Sequence, residues 1–416
     1  MPSQSARSAL LWSAGLLGVM FAIALIVRRS PQPTNSQSHS ISSAAPSLSA
    51  PTSLPGPPAP LNKAEVDAAI GKLQEQLSNA ALSTSDPWQL ALTTRALGPS
   101  YQLQGKPALG LLLARLQTAL TLNDGQPSLP NATAQDPPSA AFLAVLLESG
   151  TALDQVVTSE FPIRVWLSHT RQAMSEAVTS DQQWERRSWG IDALAFGLPS
   201  ADEKDDKAAA AAKDQLANVL AAAVAKLERE NAVFRKWAGD GAAGLAAASK
   251  ELQRLQRTRS GIYALEGWGL PLTQSVLRGF VQLKEAGQVD PHLELAAGSL
   301  IGSLAMRYSL ERALWAQSMR VDPQGTQNDF VDYNALMLEA YGWARLIFAR
   351  TPNDTGLGDT ALGCANTLLH LIASPVLPAQ GERSSGISQG SPVLASSNAL
   401  RALRMTRRIL WPAEAR

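Results

Sequence analysis

Cysteine is nearly absent. Cys364 is the only one in 416 residues, so the chain can form no internal disulfide and no thiolate cluster. Its neighbours, Ala361, Leu362, Gly363 and Ala365, are small or apolar, a setting for a buried, inert thiol rather than a nucleophile. Histidine is scarce too: His39, His169, His292 and His370 are scattered, and no His-Glu-x-x-His pattern occurs. Asp290, His292 and Glu294 are close in sequence, but alternate residues do not share a helix face. No metal or cofactor is therefore expected. The net charge is +1, so bulk electrostatics recruit no polyanion and no nucleic-acid partner is expected. Period-two alternation of polar and apolar residues is also missing, which argues against a sheet fold. No fixed period of roughly 34 or 40 residues recurs, so a regular repeat solenoid is not supported.

What is present begins at the N-terminus. Ala9 to Val27 is an uncharged apolar run that ends in Arg28-Arg29. At about 1.5 Å rise per residue, roughly 19 helical residues nearly cross a hydrocarbon core of about 30 Å. The run is long for a cleaved signal and lacks a small-residue cleavage site, so it reads as a transmembrane anchor after a short tail, 1–8. Residues 28–61 are rich in Ser and Pro and carry no charge after Arg29, the composition of a disordered linker. Arg7 on one side of the run against Arg28 and Arg29 on the other leaves the charge rule close to a tie. The Pro-rich spacer favours an extracytoplasmic domain.

Residues 62–416 read as all-α, with about a dozen helices. Asn62-Lys63-Ala64-Glu65 is a helix start with Val66, Ile70, Leu73 and Leu77 on one face, and Asp86-Pro87 opens a second helix that ends at Gly98. Helical spacing continues around 107–121, 139–149, 163–178, 182–195, 271–286, 329–349, 358–373 and 395–410, with another helix after Asp290-Pro291. In 205–257, an Ala-rich stretch with Leu216, Leu220, Val224, Leu227 and Phe234 is followed by Gly239-Asp240-Gly241. A second apolar set then comes, Leu245, Ala248, Leu252 and Leu255. This predicts a helical hairpin that a partner protein can use. Residues 374–397, rich in Ser, Gly and Pro, read as a flexible loop.

Two short motifs fail on context. Gly386-Ile387-Ser388-Gln389-Gly390 has the form of a nucleophile elbow, but no strand precedes it and no histidine follows. Gly239-Asp240-Gly241-Ala242-Ala243-Gly244 has the glycine spacing of a dinucleotide loop, but it sits between helices and suits a chain reversal. Two acid–aromatic clusters are the remaining candidates. One is Glu266-Gly267-Trp268; the other runs from Asp329 through Asp332 and Tyr333 towards Trp343. Paired carboxylates beside stacking aromatics are the equipment of glycosidases, so Glu266, Asp329 and Asp332 are candidate catalytic groups and Trp268, Tyr333 and Trp343 candidate glycan contacts. Caps and half-buried aromatics explain the same residues without a ligand. On the C-terminal helix, Arg401, Arg404, Arg407 and Arg408 accompany Leu400, Leu403 and Leu410, as in a helix docked by its apolar side with the arginines in solvent.

Asp86-Pro87-Trp88-Gln89-Leu90, the stretch from Phe142 to Gly150, and Leu265-Glu266 resemble parts of large helical proteins of planctomycete-type bacteria. The resemblance implies an α/α-toroid, with paired helices in two concentric rings. It also leads one to expect histidines where Leu92 and Tyr263 stand, so it carries a fold more than an activity. The reading is a membrane-anchored helical scaffold or binding module of the cell envelope. A carbohydrate-active enzyme working through carboxylates in a toroid cleft is the alternative.

Overall fold

The computed structural model describes residues 59–98, 105–123, 126–128, 138–158, 161–180, 184–199, 206–258, 269–288, 291–321, 327–348, 358–373 and 392–412. The expected anchor, Ala9 to Val27, and most of the linker lie outside these residues. Among the described residues no helix is long and apolar enough to cross a membrane.

Thirteen helices occur among the described residues: α1 (Lys63–Ser83), α2 (Pro87–Leu97), α3 (Gly105–Ala119), α4 (Ser139–Glu148), α5 (Ile163–Ser180), α6 (Trp184–Phe196), α7 (Asp206–Gly239), α8 (Gly241–Thr258), α9 (Leu270–Glu285), α10 (Pro291–Val321), α11 (Gln327–Phe348), α12 (Asp359–Ala373) and α13 (Pro392–Leu410). The all-α reading is therefore right. Two antiparallel hairpins too short to leave an alternating pattern sit in the connections: β1 (Thr121–Asn123) with β2 (Gln126–Ser128), and β3 (Val156–Thr158) with β4 (Phe161–Pro162). Helix α13 begins at Pro392, so 392–397 are helical where a loop was expected; 374–391 lie outside the described residues.

Local chemistry sets the ends. The Asn62 side chain accepts from the Ala64 N–H and starts α1. Asp86 accepts from the Trp88 N–H at 2.9 Å, with Pro87 in the first turn, and starts α2. Gly98, at φ 61°, ends α2 in a conformation that other residues avoid. Helix α7 turns at Asp240 into α8, which packs on α7 and α10. The glycine-rich 239–244 motif is that turn, with Gly241 at φ 57°.

Burial separates the helices into two kinds. Helix α1 buries one stripe, Val66, Ile70, Leu73, Leu77 and Ala81, the mark of a helix with one wet face. Helix α4 buries every residue from Ala141 to Leu147, and α9 every residue from Leu272 to Val281. A helix buried all round needs neighbours on all sides. The packing supplies them: α2, α4, α6, α9, α11 and α13 contact one another in that order, and α13 closes the circuit on α2. The remaining helices flank them, with α1 on α2 and α13, α3 on α2, α5 on α4 and α6, α7 on α6 and α9, α10 on α9 and α11, and α12 on α11 and α13. Gly342 lets α11 approach α13, since a Cβ there would collide with Met405.

Cations from neighbouring helices cap helix C-termini, where the carbonyls carry partial negative charge. Arg404 of α13 donates to the carbonyls of Ala96 and Leu97, the latter at 3.0 Å. Arg171 of α5 reaches Gly197 at 3.0 Å, and Lys213 of α7 reaches Ala286 at 2.8 Å. Lys284 of α9 reaches Ile347 at 2.6 Å, and Lys72 of α1 reaches Ile372 at 2.9 Å.

Candidate functional site

Each helix of the circuit contributes one charged residue to a buried group: Arg95 from α2, Glu148 from α4, Asp192 from α6, Arg278 from α9, Glu339 from α11 and Arg401 from α13. They pair in a closed, alternating order. Arg95 contacts Glu148 at 2.7 Å, Glu148 contacts Arg401 at 2.7 Å, and Arg401 contacts Glu339 at 2.8 Å. Glu339 contacts Arg278 at 3.1 Å, Arg278 pairs with Asp192, and Asp192 returns to Arg95 at 2.7 Å. The Arg278 side chain is 0% exposed and those of Asp192 and Glu339 are each 2% exposed. Three cations against three anions leave the group neutral. Neutrality matters because an unmatched buried ion costs several kcal/mol.

Glu339 is the hub. Its Oε1 accepts from Arg278, from Arg401 and from the Trp343 indole N–H at 3.0 Å. Its Oε2 accepts from Gln274 at 2.7 Å and from Arg401 Nε at 3.3 Å. Aromatic faces insulate the guanidinium groups. Arg95 lies 4.5 Å from the Trp189 ring centroid, and Arg278 lies 5.4 Å from that of Trp343. Trp189 in turn meets Trp88 edge to face, at 5.5 Å between centroids.

Proton affinities follow from this pairing. Burial alone raises Glu148, but the positive charges of Arg401, Arg95 and Arg278 outweigh it and hold the carboxyl at about 2. Glu339 moves the same way: burial opposes, and Arg401 and Arg278 prevail, keeping it well below the ordinary carboxylate range. For Arg401, burial lowers and Glu148 and Glu339 raise, and the carboxylates win. Arg95 is lowered, first by burial and then by Arg401, against the pull of Glu148 and Asp192. A general acid needs its carboxyl pushed up towards neutrality. Glu148 and Glu339 are pushed the other way, and their oxygens are already occupied by donors.

The residues singled out from sequence are placed differently. Glu266 and Trp268 lie outside the described residues, as does Ser388 with the rest of its motif. Asp329 belongs to the first turn of α11, and its side chain is also outside the described residues. Asp332 is 5% exposed and accepts from Asn398 of α13 at 2.5 Å. Tyr333 is 1% exposed, within the core. Trp343 is half-buried and belongs to the ion group through Glu339. Leu92, where the resemblance led one to expect histidine, is a core residue. The expectation of solvated arginines on the last helix is corrected: Arg401 and Arg404 turn inward, Arg407 pairs with Asp67 of α1 at 2.8 Å, and Arg408 is exposed. Their targets are carboxylates and carbonyls of other helices, which no local pattern in α13 reveals.

Sequence reasoning missed the ion group as a unit. A signal for it exists: Arg95, Glu148, Asp192, Arg278 and Glu339 are lone charges within apolar segments such as Ser275-Val276-Leu277-Arg278-Gly279-Phe280-Val281. Among the described residues no group of three or more potential metal ligands forms. No protein-family description, curated protein or solved structure matches the chain.

Proposed function

We propose that this chain is a membrane-anchored helical scaffold or binding module of the cell envelope, and that its domain is an α/α-toroid. The helices α2, α4, α6, α9, α11 and α13 would form the inner ring of that toroid. Supporting the architecture are the closed order of helix contacts and the all-round burial of α4 and α9. Supporting the anchor is the apolar run from Ala9 to Val27, followed by Arg28-Arg29 and a Ser/Pro linker.

One observation carries the non-catalytic reading. The charged side chains contributed by the six circuit helices neutralise one another in a closed order. Such a group holds helices in place. It offers neither a protonated acid nor an unengaged base, the pair that glycosidase chemistry requires.

The test is turnover of polysaccharide and peptidoglycan by the full chain, alongside the Glu266→Gln and Asp332→Asn variants. No turnover is expected. Turnover that vanishes in either variant establishes the carbohydrate-active alternative instead. Cell fractionation with external protease tests the location, with the chain expected in the membrane fraction and its domain cleaved on intact cells.

A further inference from the structure

The pairing of Arg401 has the form of ligand binding. Glu148 and Glu339 come from α4 and α11, and the Arg401 guanidinium lies between them with Nη1 on Glu148 and Nη2 and Nε on Glu339. A planar fork meets two carboxylates, a geometry that an ammonium cannot reproduce. The Arg401 side chain is 9% exposed, and those of Glu148 and Glu339 are 15% and 2% exposed. Without Arg401 the buried group holds Arg95 and Arg278 against Glu148, Asp192 and Glu339, one negative charge in excess.

Arg401 also sits where the circuit closes, on the helix that returns to α2 and α1. Two further arginines of α13 reach that seam: Arg404 caps α2, and Arg407 pairs with Asp67 at the surface, where the side chains are 28% and 34% exposed. A pair that exposed is screened by solvent and contributes little, so the buried Arg401 site is the strong electrostatic contact of the seam.

We propose that Glu148 and Glu339 form a guanidinium-selective dicarboxylate site, that Arg401 is its built-in ligand, and that occupation of the site holds the circuit shut at α13. The site takes a planar cation with several N–H donors and rejects compact cations of the same charge.

Chemical rescue of the full-length Arg401→Ala variant tests this by amide hydrogen exchange. Protection of 392–410 should fall by about two to three orders of magnitude, the exchange equivalent of breaking a buried ion pair. Millimolar guanidinium should restore it, while equal concentrations of ammonium or sodium should not. Arg407→Ala should lose little protection and show no rescue. If Arg401→Ala does not fold alone, the same rescue is read as guanidinium-dependent refolding. Arg401→Ala with Glu339→Gln restores the charge balance, and it should fold without the added cation and ignore it. Unchanged protection in Arg401→Ala, rescue by ammonium as good as by guanidinium, no rescue, or a double variant as unstable as the single one each overturns the proposal.

Discussion

Acid should loosen the six-helix circuit, and Glu148 gives the size of the effect. An ordinary glutamate titrates at 4.5, whereas the folded chain holds Glu148 at about 2. The folded value lies below the unfolded one, so the associated stability is complete above 4.5 and is lost as the pH falls through about 2. At about 1.4 kcal/mol per tenfold change, the difference corresponds to about 3 kcal/mol at neutral pH. Glu339 is displaced in the same direction and steepens the same slope. The assay is urea unfolding followed by far-UV circular dichroism at a series of pH values. Between about pH 5 and pH 2 the wild-type chain should lose at least about 3 kcal/mol. Glu148→Gln should begin less stable at neutral pH, because Arg95 and Arg401 lose a shared partner. Its decline across the same window should be shallower by about 3 kcal/mol. Parallel pH profiles for the two proteins would refute the reasoning.

Two other substitutions probe the interior. Arg278→Met strands the buried carboxylates Asp192 and Glu339 and should cost about 3–5 kcal/mol in denaturant unfolding. Adding Asp192→Asn restores neutrality and should recover much of that loss, a coupling that a double-mutant cycle reads directly. Gly342→Ala drives a methyl group into Met405 where α11 and α13 meet and should cost about 1–3 kcal/mol. Gly71→Ala, in α1 with no atom within 4 Å of the added carbon, should instead raise the melting temperature, through a gain of about 0.5–1 kcal/mol.

The helices were legible because their signals are local. Asn62, Asp86-Pro87 and Gly98 write their caps within a few residues, and the stripe Val66, Ile70, Leu73 and Leu77 repeats every turn. The helix reversal at Gly239-Asp240-Gly241 was legible for the same reason. The ion group was not, because its partners are far apart: Glu148 and Arg401 are separated by 253 residues and Arg95 and Asp192 by 97. A lone arginine in an apolar helix looks the same whether it snorkels to water or meets a carboxylate from another helix. Asp332 and Tyr333 were conspicuous for their types and spacing, but α13 covers Asp332, and α13 comes much later in the chain. The closed order of the helices is likewise a property of long-range packing.

The borrowed caps impose a timetable on synthesis. The terminal carbonyls of α2 are satisfied by Arg404, and Leu97 and Arg404 are 307 residues apart. Those of α12 wait for nothing, since Lys72 precedes Ile372 by 300 residues and is already made. At a ribosomal pace of about 5–20 residues per second, α2 therefore spends roughly 15–60 seconds with its end hydrated before the helix that caps it exists. Through that interval the apolar surface of α2 has no α13 to close over it, and a nascent chain in that state is a natural client for a holding chaperone.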